Sequence, residues 1–382
     1  MGWTITGGWN FSGGMSIVSP PPPPLIYLWS WGKNSSGQLG QNDRVYRSRP
    51  AQVGAGSTVR PWSNIASGTG FGGGIKPDGT LWTWGVGQYG SLGFNDGLDK
   101  SSPTQVGALT NWKLVSNSMG YNTIAIQNDG SLWSWGQNNV GQLGQNNLVH
   151  RSSPTQVGSN TNWSLVSAGS YTILATKTDG SLWSWGYNAQ GQLGQFGGNK
   201  SSPTQIGSGT NWNQVSIYNW HALATKTDGT LWAWGYNNYG QLGVGNTVNT
   251  SSPVQVGALT NWNQISAGYN FSIATKTDGT LWAWGHGGSG ELGQSNTIAT
   301  NNSPLQIGSA TNWNLISAGN YSVLATKTDG TLWSWGNNYN GQLGQGDKVY
   351  RSSPAMDDQR QVQAFGKTYK FSEYFFLLIY AG

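Results

Sequence analysis

The chain predicts an all-β fold, a seven-bladed β-propeller with four-stranded antiparallel blades. Three observations carry this expectation. The tetrapeptide Trp-x-Trp-Gly occurs seven times, starting at Trp29, Trp82, Trp133, Trp183, Trp232, Trp282 and Trp333. Successive copies lie 53, 51, 50, 49, 50 and 51 residues apart, a period that marks propellers and solenoid arrays. Each unit divides into four short extended segments bounded by turn signals, and helix signals are nearly absent.

The elements of a unit follow in order. A Trp heads each one, at Trp3, Trp62, Trp112, Trp163, Trp212, Trp262 and Trp313. A Ser-Ala-Gly segment comes next, with little volume, as a strand near the axis requires. Asp-Gly then marks a hairpin at Asp78-Gly79, Asp129-Gly130, Asp179-Gly180, Asp228-Gly229, Asp278-Gly279 and Asp329-Gly330, because both residue types tolerate positive φ. In the strand that follows, the two Trp of Leu-Trp-x-Trp share one face. Gly-Gln-Leu-Gly closes the next turn. Pro50, Pro103, Pro154, Pro203, Pro253, Pro304 and Pro354 open the outer strand, an edge where a missing N–H is tolerated. This register accounts for 21 of the 23 Trp as core, leaving Trp9 and Trp220 outside it. The units form one propeller over residues 1–356, with a five-proline insert at 20–24 and an apolar tail at 357–382. The insert reads either as a lengthened connection or as a partner-docking arm.

Composition narrows the function classes. Charged residues are 9% of the chain and aromatics 13%, so the chain is built to bury a core. The net charge of +5 over 382 residues comes without a Lys/Arg block, so no nucleic-acid partner is expected. Cysteine is absent, which removes thiolate metal sites and a Cys nucleophile. The three His occupy different register positions, so neither metal nor cofactor is expected. The N-terminus lacks the basic and apolar regions of a secretory signal, and no apolar run reaches membrane-spanning length. No acid, base and nucleophile converge, so no enzyme is expected.

The block Asp-Gly-Thr-Leu-Trp with Trp-Gly-x-Asn-x-x-Gly-Gln-Leu-Gly resembles the repeat of the regulator of chromosome condensation family, over nearly all of residues 1–354. That resemblance implies a seven-bladed propeller. Known members include an exchange factor for a Ran-type GTPase, a plant photoreceptor, and interaction modules in ligases. Similar repeats in bacterial and phage reading frames imply surface, fibre or virion roles. The photoreceptor's Gly-Trp-Arg-His-Thr pattern is missing here.

Two sets of residues are candidates for function. Trp9, Phe71, Tyr121, Tyr171, Trp220, Tyr269 and Tyr321 follow the Ser-Ala-Gly segment and are expected near one mouth of the central channel. There they would either stack on sugar rings or contact a partner protein, or else plug the mouth or pack between blades. The tail residues Phe371, Tyr374, Phe375, Phe376, Leu377, Leu378, Ile379 and Tyr380 would be an aggregation hazard if exposed. They are expected to staple onto their own propeller or to join sister subunits, with the inter-chain role preferred. The Tyr at loop tips (Tyr89, Tyr187, Tyr236, Tyr239 and Tyr339) form a second exposed set, read as loop decoration, and the recurring Lys two residues before Asp-Gly reads as a solvated rim charge. The favoured expectation is a non-enzymatic structural or binding module of a phage virion, fibre or surface, contacting a protein or glycan. The alternative is an intracellular regulator resembling a guanine-nucleotide exchange factor, or an interaction scaffold.

Overall fold

The computed structural model describes residues 26–53, 62–295, 300–357, 369–371 and 375–381. The fold is an all-β propeller with four-stranded antiparallel blades. Six blades are each built from one continuous stretch of chain, covering 64–105, 112–156, 163–205, 212–255, 262–306 and 313–356. In the third, strands Trp163–Ala168, Thr172–Lys177, Leu182–Gly186 and Lys200–Gln205 run in sheet order from the inside outward.

Seven blades within residues 1–356 were the expectation, and this is corrected: six are complete within that stretch. The remaining sheet is composite, in the order Arg47–Gln52, Ile26–Gly32, Phe375–Ala381, Tyr369–Phe371. Its two inner strands come from the tail. Phe375–Ala381 pairs along its whole length with Ile26–Gly32, from Ile26↔Ala381 to Gly32↔Phe375. The physical reason is the free edge of Ile26–Gly32, whose row of unpaired backbone groups is a ready template for another strand. The tail therefore closes its own ring, and the inter-subunit role assigned to it is replaced. Tyr374, the insert Pro20–Pro24 and the head Trp3 lie outside the described residues.

The repeat holds itself together through its tryptophans. The second Trp of every copy is completely buried. Its indole N–H donates to a backbone carbonyl of the preceding repeat: Trp84 to Gln38 at 3.0 Å, Trp185 to Gln142 at 3.0 Å, Trp284 to Gln241 at 2.9 Å. Trp31 makes the same bond to Gln342 at 3.0 Å, linking the last repeat to the first. The first Trp donates to the hydroxyl that follows Asp-Gly, as in Trp183 to Ser181 at 2.8 Å. That hydroxyl donates in turn to the Asp179 carboxylate at 2.6 Å. These bonds hold the Asp179 pKa below the usual carboxylate range.

Two turn details differ from expectation. Only the Gly of Asp-Gly takes a positive φ, +77° at Gly180, while the Asp instead caps the turn through its side chain. A Cβ on Gly180 would sit 2.1 Å from the Thr210 carbonyl. The prolines lie within the outer strands, as Pro203 does in Lys200–Gln205, where the pairing register shifts. The Lys before Asp-Gly is not a solvated rim charge. Lys177 is buried, its ammonium 3.9 Å from the Trp183 ring centroid and 4.9 Å from that of Trp163. Lys226, Lys276 and Lys327 repeat this cation–π arrangement. Such rings attract the ammonium because the face of an aromatic ring is its negative side.

Serine performs a second kind of joining around the axis. Ser116, Ser167, Ser216 and Ser266 each accept a backbone N–H from the next blade, at 2.9–3.1 Å (Ala168, Ile217, Ala267 and Ala318). A small side chain is needed there because the inner strands converge. The axial cavity these strands enclose has a volume of about 140 Å³ and is narrowed by Tyr218 and Met119.

Candidate functional site

The two loops that join inner strand pairs and outer strand pairs emerge at the same edge of each blade. Backbone bonds tie them together: Gln137 N–H to the Tyr121 carbonyl, Tyr187 to Tyr171, Tyr236 to Trp220, and Asn337 to Tyr321. One face of the propeller is thus built from paired loops, and it is rich in aromatic side chains.

On blades 212–255, 262–306 and 313–356 six rings form a closed circuit. Trp220 meets Tyr236 at 5.5 Å between centroids, Tyr236 meets Tyr239 at 6.3 Å, and Tyr239 meets His286 at 5.1 Å. His286 meets Tyr321 at 5.6 Å, Tyr321 meets Tyr269 at 5.4 Å, and Tyr269 returns to Trp220 at 6.5 Å. All six are half-buried. Edge-to-face and tilted contacts of this kind lock rings into a rigid surface.

Beneath the circuit lies a matched exception to the repeat. Glu291 stands where five other units have Gln and one has Ser91, and it is fully buried. One carboxylate oxygen takes the backbone N–H of Ser289 at 2.7 Å, and the other takes a hydrogen bond from His286 Nδ1. The acidic partner commits Nδ1 as the donor and fixes the imidazole plane within the circuit.

A second cluster sits on blades 64–105 and 112–156. Tyr89 lies 6.1 Å from Tyr121 and 5.1 Å from His150. His150 Nδ1 accepts the Asn138 backbone N–H at 2.9 Å, so its neutral form carries the proton on Nε2. Tyr89 and Tyr121 have φ of +58° and +54°. Bulky residues rarely adopt this region, and the strain of order 1–2 kcal/mol each is retained where a side chain must be presented in one direction.

The aromatic residues chosen from sequence divide as follows. Trp220, Tyr269 and Tyr321 share the closed circuit, Tyr121 belongs to the second cluster, and Tyr171 is 36% exposed between them. Trp9 lies outside the described residues. Phe71 is corrected: it is fully buried inside its blade, paired with Gly85. Its signal was available, since Phe71 stands seven residues before Asp78 whereas Tyr121, Tyr171, Trp220 and Tyr321 stand eight before their Asp. Tyr89, Tyr236 and Tyr239 were singled out as loop-tip residues but read as decoration, and His150, His286 and Glu291 were not singled out as site residues. For the His286–Glu291 pair the signal in the sequence was the departure of Glu291 from the Gly-Gln-Leu-Gly block. Tyr339 and Tyr350 extend the face, flanking a pocket of about 220 Å³ beside Tyr321.

His221 lies just under Trp220 at the register position of Phe71 and Phe271. It is completely buried, its Nε2 is 2.9 Å from the Ser272 hydroxyl, and burial pushes its pKa down to about 3. The unfolded chain protonates this His below about pH 6.5, while the folded protein keeps it neutral. Its contribution is therefore undiminished above that pH and is lost as pH falls toward 3, by about 1.4 kcal/mol per pH unit. Between pH 6.5 and 5 the turn carboxylates do not titrate. His221→Phe is expected to flatten the stability curve in that window, measured by urea unfolding at each pH. An unchanged slope would contradict the buried neutral His.

Among the described residues no group of three or more His, Asp or Glu could hold a metal, and no helix is long and apolar enough to cross a membrane.

The class defined by this architecture is a β-propeller of about 50-residue repeats with an aromatic face. The RCC1-like domain family matches residues 27–372, and the chain belongs to that family. It is 33% identical over 124 residues to the E3 ubiquitin-protein ligase HERC2 of Homo sapiens, covering 31% of this chain and 3% of that protein. It is 32% identical over 143 residues to the Ultraviolet-B receptor UVR8 of Arabidopsis thaliana, covering 37% of this chain and 32% of the receptor. The matched stretches thus span at most about a third of these relatives. Among solved structures, human WBSCR16 matches with a TM-score of 0.82 and 22% identity over 94% of this chain and 99% of that one. Prp20p from Saccharomyces cerevisiae matches with a TM-score of 0.80 and 18% identity, covering 94% and 92%. At these identities the structures establish the fold. The comparisons lend no support to a phage, virion or glycan-binding setting, and favour the regulator or interaction-scaffold alternative.

Proposed function

We propose that this chain is a non-enzymatic protein-interaction module whose aromatic face docks a protein partner. The observation that carries this is the closed circuit of Trp220, Tyr236, Tyr239, His286, Tyr321 and Tyr269. Tyr and Trp held rigid by their neighbours offer large contact area at little cost in side-chain entropy, which is the composition of interface hot spots and binding loops. Membership of the RCC1-like family supports the same reading. Prp20p, of similar fold, is described as binding Gsp1p and histones, so a role at a small GTPase is the specific alternative within this class.

The experiment compares the intact protein with a Tyr239→Ala/Tyr321→Ala variant. Both are tested for affinity capture and for direct binding to purified Gsp1p and histones. The expected result is at least one protein held by the intact chain and lost by the variant, at an unchanged melting temperature. Retention of the same set by both would contradict the docking face. Accelerated nucleotide release from the GTPase would establish the exchange role.

A further inference from the structure

A cleft of about 440 Å³ opens between blades 212–255 and 262–306, away from the aromatic face. Val244, Val254, Leu259 and Pro304 form its apolar walls, and the rings of Trp262 and Trp282 flank Lys276. This volume is in the range of small-molecule sites. The equivalent cleft between blades 112–156 and 163–205, about 420 Å³, is lined by Val157 and Pro203 together with Gln145, Asn146 and Asn160, beside Trp163 and Trp183.

The repeats serve as internal controls for what is unusual here. In four units a Gln side chain donates to a Ser hydroxyl of the Trp-Ser-Trp strand: Gln41 to Ser30, Gln145 to Ser134, Gln195 to Ser184 and Gln345 to Ser334, at 2.9–3.0 Å. At the 440 Å³ cleft that pair is replaced by Val244 and Ala233, and the Thr found at 104, 155 and 204 is replaced by Val254. Val244 and Val254 line the cleft, while Ala233 is completely buried. Val254 and Leu259 remain 38% and 48% exposed, so the described residues do not cover this apolar surface.

Lys276 supplies the second observation. It is 6% exposed, and its ammonium lies 3.6 Å from the Trp282 ring centroid and 5.0 Å from that of Trp262. Among the described residues its ammonium makes no hydrogen bond, and no carboxylate lies within 4.0 Å of it. Burial lowers its pKa, countered in part by the charge of Asp278. A desolvated ammonium with three unused donors favours an anion.

We propose that this cleft binds a small acid that joins a flat apolar body to one anionic group. The apolar body lies against Val244, Val254 and the Trp rings, and the anion meets the Lys276 ammonium. The site is independent of the aromatic face and of any partner docked there.

The probe is 2-naphthoate, titrated against the full chain and followed by calorimetry and Trp fluorescence. Uncharged 2-naphthol is the comparison ligand. Two variants are used. Ala233→Ser/Val244→Gln/Val254→Thr restores the residues of the preceding unit, Ser184, Gln195 and Thr204, and so keeps the fold. Lys276→Met keeps the bulk and removes the charge. The intact chain is expected to bind 2-naphthoate, and the triple variant to bind it roughly tenfold more weakly at the same melting temperature. Lys276→Met is expected to lose a similar factor for 2-naphthoate and nothing for 2-naphthol. If Lys276→Met does not fold, the triple variant decides alone. Absence of binding to the intact chain, or equal affinity in the triple variant, would overturn the proposal.

Discussion

Deleting residues 369–382 is expected to destabilise the whole ring rather than to release a folded monomer. The deletion removes both inner strands of the composite sheet, including all seven pairings between Phe375–Ala381 and Ile26–Gly32. The strand Tyr369–Phe371 lies beside Asn64–Gly68 on one side and Trp313–Ala318 on the other. Its loss therefore unseats both neighbouring blades at once. Each blade of a repeat array draws its stability from the interfaces on either side, so an open ring weakens at both ends. The exposed edge of Ile26–Gly32 also becomes a template for pairing with another chain. Thermal unfolding and solution mass check this: a lowered melting temperature with association is expected. A monomer that melts at the full-length temperature would mean that the tail contributes nothing to closure.

Trp185→Ala is expected to cost about 3–5 kcal/mol, the range for deleting a large buried aromatic. Trp185 is fully buried in a cluster with Ile173, Val166 and Trp163, and packs edge-to-face on Trp163 at 5.9 Å. The substitution also leaves the Gln142 carbonyl without its indole donor at an interface between blades. A buried acceptor stranded in this way adds about 1–3 kcal/mol within the same total. Trp183→Ala should cost less, because Trp183 is only partly buried and lies at the blade edge. Denaturant unfolding of the two variants gives the comparison. Equal effects would contradict the assignment of the second Trp as the inter-blade anchor.

The repeat made the fold legible because each of its residue types answers a local requirement. Gly180 must adopt a positive φ, Ser181 must bridge Asp179 to Trp183, and the second Trp must reach the preceding repeat. What sequence could not supply was the ring's closure. The strands at 369–381 share no motif with the inner strands they replace, since β-pairing depends on backbone edges and tolerates many side chains. The reading of Lys177 failed for a related reason. A charged residue near a turn is usually solvated, and only the approach of two Trp rings from different strands converts it into a buried cation.

The aromatic face was legible in part. Trp220, Tyr269 and Tyr321 were found by their place after the inner strand, whereas Phe71 was misplaced by one register position. The circuit also needs Tyr236, Tyr239 and His286, which lie in a different loop of the chain. Sequence spacing does not reveal that two loops emerge side by side. The backbone bonds between them, such as Tyr236 to Trp220, do.

Closure of the ring by its own tail is tested most directly by cross-linking. Ser30 and Leu377 are register partners in the paired strands, and the chain contains no cysteine to compete. A Ser30→Cys/Leu377→Cys variant is oxidised and run without reductant, with the two single variants as controls. The account predicts a monomer locked by one internal disulfide and resistant to heat relative to its reduced form. Covalent dimers or longer chains from the double variant would show that the tail pairs with a neighbouring molecule, and would contradict it.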